Sequence, residues 1–211
     1  NERRQSAPHG HAINFDPANQ YAFAADLGLD KLLVYKVDAA KGKLQPAGHA
    51  KVAPGSGPRH FVFRPDGKFA YVINEMFSNI TAFKYNGKGG LSEIQTISTL
   101  PTGYKGGNST AEVRVHPNGK FLYGSNRGHD SIAVYRIHEK LGTLTPVEEV
   151  KTGGRTPRNF NLTPDGKFLL AANQGTGNIV VFKVDDATGK LTRTDHEVQT
   201  PKPVCIRFLE L

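Results

Sequence analysis

Three arginines (Arg59, Arg127 and Arg158), two histidines (His11 and His60) and two carboxylates (Glu75 and Glu112) are the side chains whose types and spacing could do chemistry together. A guanidinium holds a phosphate or carboxylate through a bidentate fork. An imidazole or carboxylate beside it can move a proton or position a water. The set reads as an anion-binding ring with titratable groups inside it. His9 and His11 have the spacing of a metal-binding pair, but no third ligand follows at a matching distance, so no metal site is expected. The 211 residues carry 27 Lys plus Arg against 19 Asp plus Glu, and the net charge of +8 invites an anionic partner. The lysines are spread through turns and form no stripe with interleaved aromatics, so nucleic acid is not expected. No apolar run is long enough to cross a membrane, and residues 1–9 are basic without an apolar core, so no signal peptide is visible. A lone cysteine, Cys205, excludes a disulfide within the chain and reads as a buried strand residue without evident chemistry.

What positions these residues is an internal repeat. Pro17, Pro65, Pro117 and Pro164 are anchors separated by 48, 52 and 47 residues. Four steps after each comes an aromatic: Tyr21, Phe69, Phe121 and Phe168. Nine steps after comes Asp26, Asn74, Asn126 or Asn173, read as hydrogen bonders at turns and strand ends. Eighteen steps after comes Tyr35, Phe83, Tyr135 or Phe182. Within a unit, short runs such as 69–73 and 80–85 alternate β-branched and aromatic residues, and Asp66-Gly67, Asn118-Gly119 and Asp165-Gly166 are hairpin signals. Four strands in about 48 residues, repeated, predict an all-β fold, a β-propeller of four-stranded antiparallel blades. The units run over about 8–56, 57–108, 109–155 and 156–202, with 203–211 expected to be the first strand of a further blade. That leftover strand favours an arc of a larger ring over a closed four-bladed one.

Polar residues that break the repeat are the better candidates for function, because the blade does not need them. A hairpin turning at the glycine pairs offsets that sum to about three, so offset minus six should face offset plus nine. Minus six holds His11, Arg59, Ala111 and Arg158; minus five holds Ala12, His60, Glu112 and Asn159; plus ten holds Leu27, Glu75, Arg127 and Gln174. The first strand of a blade lines the central channel, so all of these are expected at one mouth. Structural readings stay open beside this one. Arg59 and Arg158 could bridge neighbouring blades, Glu75 could be only the partner of an arginine, and His60 could support the site from behind.

The chain resembles the lactonase family of seven-bladed propellers, which includes the propeller-type 6-phosphogluconolactonases and the carboxymuconate cyclases. The resemblance lies in His9-Gly10-His11, Asp26-Leu27-Gly28, Gly57-Pro58-Arg59-His60-Phe61, Asn74-Glu75, Ser125-Asn126-Arg127 and Thr156-Pro157-Arg158-Asn159-Phe160, and it runs the length of the chain. It implies a site built from His11, Arg59, Arg127 and Glu75, to which Arg158 is added from the matching Pro-Arg motif. With the column residues, Glu75, His11 and Arg127 are expected to be catalytic and Arg59, Arg158, His60 and Glu112 to bind substrate. The implied reaction is hydrolysis of an anionic sugar lactone, by default 6-phosphogluconolactone. Glu75 is the general base, and His11 orients the water or protonates the leaving ring oxygen. No metal or organic cofactor is expected, and a cytoplasmic setting is. The same groups could instead cyclise a carboxymuconate, and a non-catalytic propeller binding its partner at this mouth is the reading from another class. Seven blades need roughly 340 residues, so the resemblance implies the C-terminal part of such a ring, about four blades of seven. Missing N-terminal blades or another copy would complete it.

Overall fold

The alternating runs form strands because each places one side-chain row against the blade in front and the other against the blade behind. In a computed structural model, which describes residues 1–209, all sixteen elements are strands. They are β1 (Gly10–Phe15), β2 (Tyr21–Asp26), β3 (Lys31–Asp38) and β4 (Lys43–Lys51) in the first sheet. The second sheet has β5 (Pro58–Phe63), β6 (Phe69–Asn74), β7 (Asn79–Tyr85) and β8 (Leu91–Ser98). The third has β9 (Ser109–Val115), β10 (Phe121–Arg127), β11 (Ser131–Ile137) and β12 (Leu144–Lys151). The fourth has β13 (Pro157–Leu162), β14 (Phe168–Asn173), β15 (Asn178–Val184) and β16 (Leu191–Gln199). Each sheet is an antiparallel meander, and the inner strands touch in series, β1 to β5, β5 to β9 and β9 to β13. This is the expected propeller architecture.

The core is three apolar slabs, one between each pair of neighbouring blades. A repeated lock joins the blades. Phe69 lies under Gly142 of the next blade so closely that an added Cβ would overlap its ring, and Phe121 lies under Gly189 in the same way. Tyr71 Oη donates to Gly142 O at 3.0 Å, and Tyr123 Oη to Gly189 O at 3.0 Å. The aromatic four steps after each anchor is therefore half of an interblade contact. Gly142 also has φ near 70°, where a side chain is strained. Gly142→Ala should cost about 1–3 kcal/mol of stability, read as a lower urea midpoint; an unchanged midpoint would show that the contact is not a lock.

The two end blades show the same columns uncovered. Ile13 on β1 is 53% exposed, whereas its counterpart Phe160 on β13 is fully buried. Phe168 on β14 is 38% exposed, whereas Phe121 is fully buried. One face of the first sheet and the opposite face of the fourth are thus bare.

Residues 203–209, expected with 210–211 to be the first strand of a further blade, have no strand partner among the described residues, and 210–211 lie outside the described residues. The segment runs along β13, where Asn161 Nδ2 donates to Ile206 O at 3.1 Å and Ile206 N donates to Asn159 Oδ1 at 2.8 Å. Cys205, expected to be buried, is exposed.

Candidate active site

The register at the mouth differs from expectation by one residue, and the difference builds the site. Offset minus seven faces plus nine: Gly10 pairs with Asp26, Pro58 with Asn74, Thr110 with Asn126 and Pro157 with Asn173. Each inner strand then shifts register, so that His11, Arg59 and Arg158 are the unpaired extra residues of β-bulges. A bulge bends the strand and re-aims one side chain. Here it frees the minus-six residues from the alternation that packs their neighbours. The plus-nine residues behind them are buried; Asp26 and Asn126 spend their polar atoms locally, while Asn74 Oδ1 and Asn173 Oδ1 have no partner among the described residues. Asp26 Oδ1 accepts from the backbone of His9 and Leu29, and Asn126 Nδ2 donates to Thr99 O.

Glu75 follows β6. Its backbone N–H donates to Gly57 O at 2.7 Å, and its carbonyl accepts from Thr110 N at 3.2 Å, so two blades fix its position. The carboxylate is 5% exposed and takes three guanidiniums. Oε2 accepts from Arg59 Nε at 2.9 Å and pairs with Arg127 Nη2 at 3.0 Å, while Oε1 accepts from Arg4 Nη2 at 2.6 Å. Burial alone would raise the carboxyl; the hydrogen bond from Arg4 and the charges of Arg127 and Arg59 overcome it and hold the group below its ordinary value. Arg59 is buried and is pushed down to about 10, first by burial and then by the charge of Arg127, so it stays a cation at neutral pH. Arg127 also donates to Thr110 O at 2.7 Å.

A second chain runs inward from Arg59. Its Nη1 donates to Ala111 O at 3.0 Å and lies 2.8 Å from His60 Nε2, and His60 Nδ1 lies 2.8 Å from Glu112 Oε1. A guanidinium can only donate, so Nε2 accepts and Nδ1 carries the proton toward Glu112. Both ring nitrogens are occupied. Glu112 is 2% exposed and is further held by Asn159 Nδ2 and by Arg114 Nη2 at 3.3 Å. His60 and Glu112, expected to bind substrate, support Arg59 through these contacts, and both also line the cleft beside His11.

His11 and Arg158 remain open. His11 Nδ1 lies 3.1 Å from His9 O, an acceptor, which fixes the proton on Nδ1 and leaves the Nε2 lone pair free. Burial first, and then the nearby Arg59 charge, lower its basicity below the ordinary value despite the His9 hydrogen bond and the Glu75 charge, so it is neutral at pH 7. It lines a cleft with Asn14, His60, Arg114 and Arg207. Arg158 is half-buried and near enough to Arg59 and Arg127 to repel both charges. No described residue gives it a hydrogen bond. It is a free cation at the mouth.

Arg4, Arg114 and Asn159 are the participants that sequence reasoning left out of the site. Asn159 sits in the minus-five column. Arg4 precedes the repeat, so no column could select it; its only signal is the basic stretch before His9.

Residues 1–208 match the family described as lactonase, 7-bladed beta-propeller. A 6-phosphogluconolactonase of Bacillus subtilis is 42% identical over 150 residues, which is 71% of this chain and 42% of that protein. The solved periplasmic gluconolactonase of Pseudomonas aeruginosa superimposes with a TM-score of 0.92 at 34% identity, over 98% of this chain and 58% of that one. A solved protein from Lactobacillus plantarum gives a TM-score of 0.93 at 37% identity, over 98% and 60%. The chain therefore spans less than two thirds of the length of these relatives.

Proposed function

The chain belongs to the family of seven-bladed β-propeller lactonases, and from that premise we propose that its activity is hydrolysis of a sugar lactone bearing an anionic group, 6-phosphogluconolactone going to 6-phosphogluconate. The observation that carries this reading is a neutral histidine with a free Nε2 beside guanidiniums that outnumber the one carboxylate they share. Such a mouth is cationic, which suits a phosphate or carboxylate on the substrate.

The roles follow from which atoms are free. A water attacks the lactone carbonyl carbon and gives up its proton to His11 Nε2. Charge then developing on the carbonyl oxygen is met by the arginine cluster, whose donors are fixed in advance and need no reorganisation. As the carbon–oxygen bond of the ring breaks, the proton on His11 Nε2 passes to the leaving ring oxygen, and the imidazole is restored. Arg158 binds the anionic group. Glu75 is not the base in this scheme, because both its oxygens are occupied and its basicity is lowered. It gathers and orients the arginines. The bare faces at Ile13 and Phe168 suit further blades completing a ring, so the proposal concerns the full-length protein. A cytoplasmic setting is part of the proposal.

The test is consumption of freshly prepared 6-phosphogluconolactone and of 3-carboxymuconate by the full-length protein, each against its spontaneous rate. Loss of the first alone is expected. Loss of the second alone would replace hydrolysis with cyclisation, and loss of neither would leave a binding module.

A further inference from the structure

The segment before β1 is not a strand, yet it is tied down at both ends. Gln5 Nε2 donates to Leu27 O at 2.9 Å and to Asp30 Oδ2 at 2.7 Å, and His9 N donates to Asp26 Oδ1 at 2.9 Å. A turn within it is closed by Gln5 N donating to Asn1 O at 2.8 Å. Gly28 leaves room for it, since an added Cβ there would overlap Ala7 O. The segment is thus a strap laid over the turn between β2 and β3, and it carries Arg4 into the mouth. Three guanidiniums share Glu75, but they are not equivalent. Arg59 and Arg127 crowd on Oε2 with side chains 4% and 12% exposed, whereas Arg4 alone occupies Oε1 and is 49% exposed.

We propose that Arg4 is a specificity-determining residue, which rests on Glu75 Oε1 in the empty site and moves its guanidinium to the anionic group of an entering lactone. This rests on the lactonase reading above and names the residue that would make it selective. Arg4 is half-exposed, so water rehydrates its guanidinium when it leaves, while Arg59 and Arg127 stay on Oε2 and keep the buried carboxylate compensated. Arg59 and Arg127 cannot leave, because their side chains are only 4% and 12% exposed and each is bonded to a backbone carbonyl as well. Arg4 and Arg158 are both near enough to Arg127 to repel it, so an anion arriving between them relieves that repulsion. When Arg4 departs, Oε1 is left to accept from a hydroxyl of the sugar. The strap therefore couples the presence of a charged group on the substrate to the opening of an acceptor in the site.

The experiment compares wild type, Arg4→Gln and Arg4→Lys in the full-length protein on 6-phosphogluconolactone and on unphosphorylated gluconolactone. Arg4→Gln should lower the ratio of kcat/KM values, phosphorylated over unphosphorylated, by about 10-fold or more, mainly through KM. Arg4→Lys should recover part of the ratio, since it keeps the charge without the fork. Equal losses on both lactones would reduce the strap to a structural part, and no change on either would take Arg4 off the substrate; each outcome overturns the proposal. If the wild type hydrolyses neither lactone, the reading of function fails by itself. Calorimetric binding of inorganic phosphate then decides the role of Arg4, with an equal Kd in wild type and Arg4→Gln as the overturning result.

Discussion

Glu75→Gln should destabilise the protein by about 3–5 kcal/mol and abolish most of its activity together. The substitution keeps the shape of the side chain and removes its charge. Arg59, 4% exposed, then faces Arg127 across an amide that can neutralise neither. An amide also presents an N–H₂ group where the carboxylate had an acceptor, so at least one guanidinium meets a donor. Removing one member of a buried pair is costly because the other charge stays buried without compensation. Part of the loss should therefore return in Glu75→Gln/Arg59→Gln, and a double-mutant cycle in urea measures that coupling. Acid provides a second readout. The carboxyl is held below its ordinary value in the folded protein, so its contribution is complete above the ordinary carboxylate range and fades as pH falls through the lower folded value. The variant should lack that part of the acid-induced loss. Glu75→Gln that is as stable as wild type but inactive would instead restore the glutamate as general base.

That reassignment marks where reading the sequence stopped. The blades were legible because packing repeats: Phe69 and Phe121, each locked under a glycine of the next blade, stand in one column and need only self-comparison to be found. The location of the site was legible for the opposite reason. Arg59, Glu75 and Arg127 interrupt columns that packing would have kept uniform, and they do meet. The bulge was not legible, because an extra residue in a strand leaves no mark when all four inner strands carry it. An even register puts offset minus six opposite plus nine; the real one leaves His11, Arg59 and Arg158 unpaired and aimed into the mouth. Roles were less legible still. Whether a carboxylate is a base depends on how many donors reach it, and one of those, Arg4, comes from outside the repeat.

His11→Gln should lower kcat by about 10²–10⁴-fold with little change in KM or in the urea midpoint. Little holds His11 in the fold: among the described residues its ring has one hydrogen-bond partner, His9 O, and it sits on a bulge at the rim of the cleft. Its loss should therefore separate chemistry from stability, where the loss of Glu75 combines them. The pH profile distinguishes a base from a mere contact. A base works only when unprotonated, so kcat/KM should rise with pH through the histidine's value and level off above it. Burial and Arg59 place that value below the ordinary 6.5. The rise should therefore be centred below the ordinary histidine range. In His11→Gln the residual activity should lose this acid limb and follow hydroxide instead. Glutamine keeps a polar group at the position, so a variant that retains both rate and acid limb would show that the proton goes elsewhere. Arg59→Lys supplies the complementary shift. It keeps the positive charge but gives up the fork that bonds Glu75, His60 and Ala111 O together, which should loosen His60 and lower kcat without moving the limb. A limb that moved with Arg59→Lys and stayed in His11→Gln would transfer the base to His60.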